Sequence, residues 1–174
     1  MFTPIARFAL LILCLVLGII SYVFNWTFIL IIIAVFSLSL LWGYFNTGTV
    51  YLALNLLRKG KLDEAEEVLK FTKKPEKLSK GKRAYYNFIL AFCARERDEF
   101  ASAKEKFIKA LDDGLKSENE KAIALLALAD ISLIDGKKEA AENYMSKIKG
   151  LKVKESLMPQ IRQMQTYLSR KNEK

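Results

Sequence analysis

The chain divides into a long apolar stretch and a segment with helical periodicity. No side chain between Phe8 and Phe45 carries a charge. A single helix of that length would measure roughly 57 Å, about twice the ~30 Å hydrocarbon core of a bilayer. Polar residues and aromatics gather at Ser21–Thr27. The pattern therefore predicts two transmembrane helices, near Ile5–Val23 and Thr27–Tyr44.

Beyond Thr49 apolar residues recur at the i, i+3, i+4, i+7 spacing of amphipathic helices. Gly60, Gly136 and Gly150 separate the predicted helices, and Pro159 suits the first turn of the last one. The stretch Lys73–Lys82 is predicted to be a loop. The predicted helices are 48–59, 62–72, 79–96, 99–113, 118–135, 137–149 and 156–170.

The second part of the chain repeats itself with a period of 38 residues. Ala65, Ala103 and Ala141 are separated by this spacing. The same spacing relates Leu52, Leu90 and Leu128, then Ala53, Ala91 and Ala129, and then Leu69, Phe107 and Met145. Small alanines allow two helices to approach closely at a crossing, and large side chains fill the seam to the next hairpin. A single hairpin cannot bury its apolar face, so several must stack.

This pattern resembles the tetratricopeptide repeat (TPR) over roughly residues 47–150. The resemblance is carried by Leu52-Ala53 with Gly60–Ala65, by Leu90-Ala91 with Phe100–Ala103, and by Leu128-Ala129 with Gly136 and Ala141. The chain departs from the family in lacking its early tryptophan and closing proline, in placing Asp98 at the turn glycine, and in its longer period. Another repeat of paired helices is the alternative.

These observations predict an all-α protein with two domains. Residues 1–46 would form an N-terminal two-helix transmembrane hairpin. Residues 47–174 would form a TPR-like α-solenoid of about three helical hairpins with a C-terminal capping helix. The basic residues that flank the predicted spans are Arg7, Arg58, Lys59 and Lys61. By the positive-inside rule, both termini and the repeat domain are expected on the cytoplasmic side of a bacterial inner membrane. A cleaved signal peptide is the rival reading of the first span.

The resemblance implies a partner-binding groove lined by the first helix of each hairpin. The residues carried over to this groove are Leu54, Tyr85, Phe88, Phe92, Arg95, Leu126 and Asp130, with Val50, Leu57, Ile123 and Leu133 beside them. Its central aromatics would suit an apolar helix. The alternative is that these side chains are core, covered by the terminal helix or by the membrane hairpin.

Lysines cluster in the two links between predicted hairpins. The first link carries Lys73, Lys74, Lys77, Lys80, Lys82 and Arg83, and the last carries Lys147, Lys149, Lys152 and Lys154. A regular stack would place both links on one edge, where they could meet anionic lipids at a membrane surface. An ordinary solvated surface is the alternative.

Composition narrows the chemistry. The chain has no histidine, and Cys14 and Cys93 fall in different parts, so both are predicted to be free thiols. Phosphate-binding glycine loops, zinc-ligand spacing and nucleophile motifs are absent from the sequence. We therefore expect no enzymatic activity, no catalytic residues, no cofactor and no metal.

The sequence predicts a membrane-anchored scaffold or adaptor that holds a protein partner at the cytoplasmic membrane surface through a TPR groove. The alternative is an accessory subunit of a membrane transport or secretion complex, bound mainly through its transmembrane helices. The expected partners are a peptide or helix in the groove, membrane lipids and subunits of a membrane complex. Neither nucleic acid nor a small-molecule substrate is expected.

Overall fold

The computed structural model describes residues 27–170 of the chain. Over that range the structure is all-helical, without a strand, which confirms the predicted all-α class. The α-helices are α1 (Thr27–Arg58), α2 (Leu62–Lys70), α3 (Lys80–Glu96), α4 (Phe100–Asp112), α5 (Glu118–Ile134), α6 (Lys138–Ile148) and α7 (Met158–Arg170). Short 3-10 turns cover Pro75–Lys77 and Glu155–Leu157. The bounds of α2 to α7 lie within two residues of the predicted ones.

Helix α1 joins the two helices predicted near Thr27–Tyr44 and 48–59, because it continues from Thr27 to Arg58 without a break. Its 32 residues include Asn46–Gly48, so the predicted domain boundary at residues 46 and 47 lies within one helix. Its C-terminal part packs against α2 and α3. Five large apolar side chains nearer its N-terminus are more than half exposed: Ile31, Ile32, Val35, Phe36 and Leu38.

The predicted localisation in a membrane is corrected by the structure. Within residues 27–170, no helix combines the length and the apolar character needed to cross a bilayer. The prediction of an integral membrane protein rested on the uncharged run Phe8–Phe45, and the described part of that run is the start of α1, which continues into the repeats. The predicted span Ile5–Val23 and Cys14 lie outside the described residues.

Three consecutive helix pairs make up the body of the structure: α1 with α2, α3 with α4, and α5 with α6. Each pair is joined by a turn whose central residue has a positive φ, at Gly60, Asp98 and Gly136, again 38 residues apart. The hydrogen bonds repeat with the same period. The backbone amides of Lys61, Glu99 and Lys137 donate to the carbonyls of Leu56, Ala94 and Ser132 at 3.0, 2.9 and 2.8 Å. The sequence repeat is therefore a structural repeat.

The core consists of two clusters of buried side chains, one that spans all three helix pairs and one that joins the third pair to α7. Ala65, Ala103 and Ala141 are fully buried in it, as expected of the small residues that recur with the repeat. Leu69, Phe107 and Met145 are also buried, so each repeat has a large apolar side chain in the core at this position. Removing these surfaces from water stabilises the stack by roughly 25 cal/mol per Å² of apolar area.

The last helix continues the repeat. The segment from Glu155 to Arg170 starts about one repeat period after the start of α5. Its buried residues Leu157, Ile161 and Leu168 join the core of the third pair. Two backbone contacts fix where it starts. The amides of Lys152 and Lys154 donate to the side chains of Glu118 and Asn119, at 2.6 and 2.9 Å. Helix α7 therefore begins beside the N-terminus of α5 and occupies the place of the first helix of a fourth hairpin.

Candidate partner-binding cleft

A cleft of about 680 Å³ lies between α3, α5 and α7. Its floor is one face of α5, since Ile123, Leu126, Ala127, Asp130, Leu133 and Ile134 follow the i, i+3, i+4, i+7 pattern. Phe92 and Arg95 of α3 form one wall, and Gln160, Gln163, Met164 and Tyr167 of α7 form the other. The first helices of consecutive hairpins thus supply the whole lining.

A smaller cleft of about 470 Å³ extends this surface toward the C-terminal ends of α3 and α5. It shares Phe92, Arg95, Asp130 and Ile134 with the larger cleft. Glu96, Asp98 and Phe100 complete its lining. The two clefts therefore form one continuous groove, which we call the α5 groove.

Phe92 joins the α5 groove to the core. Its ring meets Phe88 edge-on at a centroid distance of 5.0 Å and Phe107 at 5.2 Å. Edge-to-face pairs at these distances are favourable because the positive edge of one ring meets the negative face of the other. Phe88 and Phe107 are buried and Phe92 is partly exposed. The core thus holds the Phe92 ring in a fixed position on the groove wall.

Arg95 and Asp130 form an ion pair that links α3 to α5 within the groove. The Arg95 side chain is 39% exposed and that of Asp130 is 35% exposed. A pair this open to water contributes little to stability, on the order of 1 kcal/mol or less. Both groups therefore lie on the groove surface, within reach of a ligand.

The structure separates the predicted groove residues into two sets. Phe92, Arg95, Leu126 and Asp130 line the α5 groove, as do Ile123 and Leu133. The other set belongs to the core instead: Leu54 is 4% exposed, Tyr85 8% and Phe88 3%, and Val50 is also buried. These side chains lie where neighbouring hairpins pack together, so they have no surface to offer a ligand.

Sequence reasoning missed one wall of the groove. Gln160, Gln163, Met164 and Tyr167 were predicted to belong to a capping helix, yet they face the groove from α7. The signal was present in the sequence, because Phe88, Leu126 and Met164 keep the 38-residue period that the other repeat positions show. Extending the repeat by half a unit would have placed α7 correctly.

A buried carboxylate lies outside the groove, at the start of α5. Glu120 is 5% exposed and pairs with Arg58 at the end of α1. Its backbone amide donates to the hydroxyl of Ser117, so Glu120 occupies the third position of a capped helix. Burial, with the Glu120 carboxylate nearby, raises the pKa of Tyr85 to about 12. This cluster ties the first, second and third hairpins together.

The predicted basic residues lie on one edge of the stack. Lys73, Lys74, Lys77 and Lys80 are exposed, whereas Lys82 and Arg83 are partly buried. The Lys116 side chain reaches Gly81, and the last link lies against Glu118 and Asn119. The links at 71–79, 113–117 and 149–154 therefore share this edge, opposite the three turns.

Arg83 has a structural partner within this edge. Its Nε donates to an Asp113 carboxylate oxygen at 2.8 Å, and a second guanidinium nitrogen contacts the other oxygen. This interaction holds the pKa of Asp113 below its ordinary value. Arg83 therefore fastens α3 to the end of α4 and is less available than the exposed lysines to a ligand.

Within residues 27–170, no cluster of three or more His, Cys, Asp or Glu side chains is arranged to hold a metal ion. Comparison with protein-family models, with curated proteins and with solved structures finds no match for this chain.

Proposed function

We propose that this chain is a TPR-like interaction module that holds a protein partner by a peptide or helical segment bound in the α5 groove. The observation that carries the proposal is the composition of the groove. Its lining comes from the first helices of consecutive hairpins, with partly exposed apolar side chains around one ion pair. Grooves of this kind bind the apolar face of a helix.

The size of the groove supports a segment of about three helical turns. Its floor extends along α5 from Ile123 to Ile134, which corresponds to about 16 Å at 1.5 Å per residue. A bound helix of the same length would place apolar residues from successive turns against Leu126, Ala127 and Leu133.

The openness of the groove favours a peptide over a small molecule. Ile134 is 55% exposed and Tyr167 is 52% exposed, so the groove is open to solvent along its length. Small-molecule sites bury most of the surface of their ligand, which requires a more enclosed shape than this one. A partner segment that brings its own covering surface suits the geometry better.

Site-specific photocrosslinking in the cells of origin tests the proposal. The photoreactive phenylalanine analogue replaces Gln163 or Tyr167 on the groove wall, and Ile108, exposed on α4, serves as the control position. A captured protein is then purified and titrated against the full chain and a Leu126→Arg variant. Circular dichroism of the variant verifies that it is folded.

The expected result is an adduct from both groove positions, none from Ile108, and affinity lowered at least tenfold by Leu126→Arg, since a charge would have to be buried against an apolar face. If neither Gln163 nor Tyr167 yields an adduct, the proposal is overturned. Binding by the folded Leu126→Arg variant as strong as by the original chain would also overturn it.

A further inference from the structure

One end of the α5 groove is negatively charged, whereas the whole chain is positively charged. The smaller cleft is lined by three carboxylates, Glu96, Asp98 and Asp130, and by one guanidinium, Arg95. Its formal charge is therefore −2, whereas the chain carries +9. The larger cleft adds only uncharged side chains to Arg95 and Asp130. We call the cleft with the three carboxylates the acidic end.

Two of these carboxylates are available to a ligand. Asp130 is already paired with Arg95. Glu96 and Asp98 are exposed, and neither has an ion-pair partner among the described residues. A cation placed between them would meet two charges that the fold itself does not neutralise.

Helix ends add to the negative potential. Helix α3 ends at Glu96 and α5 ends at Ile134, and both residues line the acidic end. The last carbonyls of each helix carry a partial negative charge of about half an electron. The backbone and the side chains therefore favour the same kind of ligand group at this place.

We infer that the segment bound in the α5 groove is an amphipathic helix that lays an apolar stripe along α5 and presents a lysine or arginine to the acidic end. The inference rests on the proposed function and goes beyond it in naming the chemistry of the partner. The carboxylates would select this partner and fix its direction in the groove, since charges across an interface contribute more to specificity and register than to affinity.

The test uses synthetic helical peptides as probes. Each peptide is about three turns long, is stapled because short helices are marginal in water, and carries leucines at i, i+3, i+4 and i+7. One series places Arg, Gln or Glu in the first turn, and a second series places it in the last turn. Binding to the full chain is measured by fluorescence anisotropy.

The expected result is that, in one of the two series, the Arg peptide binds about tenfold more tightly than the Glu peptide, with Gln between them. The preference should shrink in high salt, which screens exposed charges. A Glu96→Gln/Asp98→Asn variant should lose the preference for Arg over Gln. Asparagine at position 98 suits its left-handed backbone, so this variant keeps the turn.

A matched control variant, Asp112→Asn/Glu139→Gln, removes two exposed carboxylates that do not line the groove, and it should keep the preference. Equal binding of the Arg, Gln and Glu peptides in both series would overturn the inference while leaving the groove itself in place. Failure of every peptide to bind would also overturn it, whereas the proposed function is judged separately by the crosslinking result.

Discussion

Asp98 adopts the same left-handed backbone conformation as Gly136, 38 residues further along the chain, with φ of 59° and 73°. Glycine reaches this region without steric cost, whereas most other residues pay about 1–2 kcal/mol there. Aspartate is among the few that tolerate it, because its short polar side chain can interact with the nearby backbone. The turn of the hairpin therefore imposes its geometry even where the repeat lacks glycine.

Gly136→Ala should lower the free energy of unfolding by about 1–2 kcal/mol. A Cβ built at this position has no atom within 4 Å, so the cost comes from the backbone conformation alone. Urea unfolding of the original chain and the variant measures the difference.

Gly81→Ala is the matched control, because Gly81 lies in the first turn of α3 without a positive φ. Here alanine should raise the free energy of unfolding by about 0.4–1 kcal/mol by restricting the unfolded chain. Its Cβ would meet only the flexible end of Lys116, at 3.4 Å. Destabilisation of both variants to the same degree would contradict the role assigned to the turn.

The helices α2 to α7 could be predicted from sequence because each depends on local periodicity and on turn residues near its ends. The burial of Ala65, Ala103 and Ala141 followed from their spacing, since only small side chains fit at a close helix crossing. Which of the predicted groove residues line the groove and which lie in the core could not be predicted in the same way. Phe88 and Phe92 lie one turn apart on α3, and which of them is covered depends on the angle between neighbouring hairpins.

The extent of α1 was harder to predict than the bounds of the helices that follow it. An uncharged run has the same sequence pattern whether its helix ends within it or continues beyond it, and Asn46–Gly48 carry no decisive stop signal. The acidic end of the groove was missed for a related reason. Glu96, Asp98 and Asp130 come from two hairpins, so only the stacking of the hairpins brings them together.

Phe107→Ala should lower the free energy of unfolding by about 3–5 kcal/mol. The side chain is fully buried and meets Phe88 and Phe92 edge-on, at 6.1 and 5.2 Å, so its loss leaves a cavity and removes two aromatic contacts. Its neighbour Ile108 is 37% exposed, and Ile108→Ala should cost under about 1 kcal/mol. Similar urea midpoints for the two variants would contradict the core assigned here.

The stability of the chain should depend on Tyr85 at high pH. Burial first, and then the Glu120 carboxylate, raises the pKa of this phenol to about 12, against about 10 in an unfolded chain. Between these values the unfolded state releases the proton and the folded state keeps it. The contribution of Tyr85 to the free energy of unfolding is therefore fully present below pH 10 and is lost as the pH rises toward 12.

Tyr85→Phe isolates this effect, because it removes the titrating group and keeps the ring. From pH 9 to pH 11 the original chain should lose about 1 kcal/mol more unfolding free energy than the variant does. Urea unfolding at the two pH values measures the difference. Parallel losses in the two proteins would show that Tyr85 titrates alike in the folded and unfolded states.

Cys93 should react with iodoacetamide only when the chain opens. The thiol is 5% exposed, and its Sγ donates to the Leu62 carbonyl at 3.9 Å. Burial, reinforced by the Glu66 carboxylate, raises the pKa of this thiol to about 11, so at pH 8 it holds roughly a hundredfold less of the reactive thiolate than an exposed cysteine.

Labelling in a Cys14→Ser background, followed by peptide mass spectrometry, measures the rate at Cys93 alone. The rate should rise with urea in step with global unfolding, and the same protein in denaturing urea gives the reference rate for an exposed thiol. Labelling in native buffer at a rate near that reference would show that the packing of α3 against α2 opens independently of the rest of the stack.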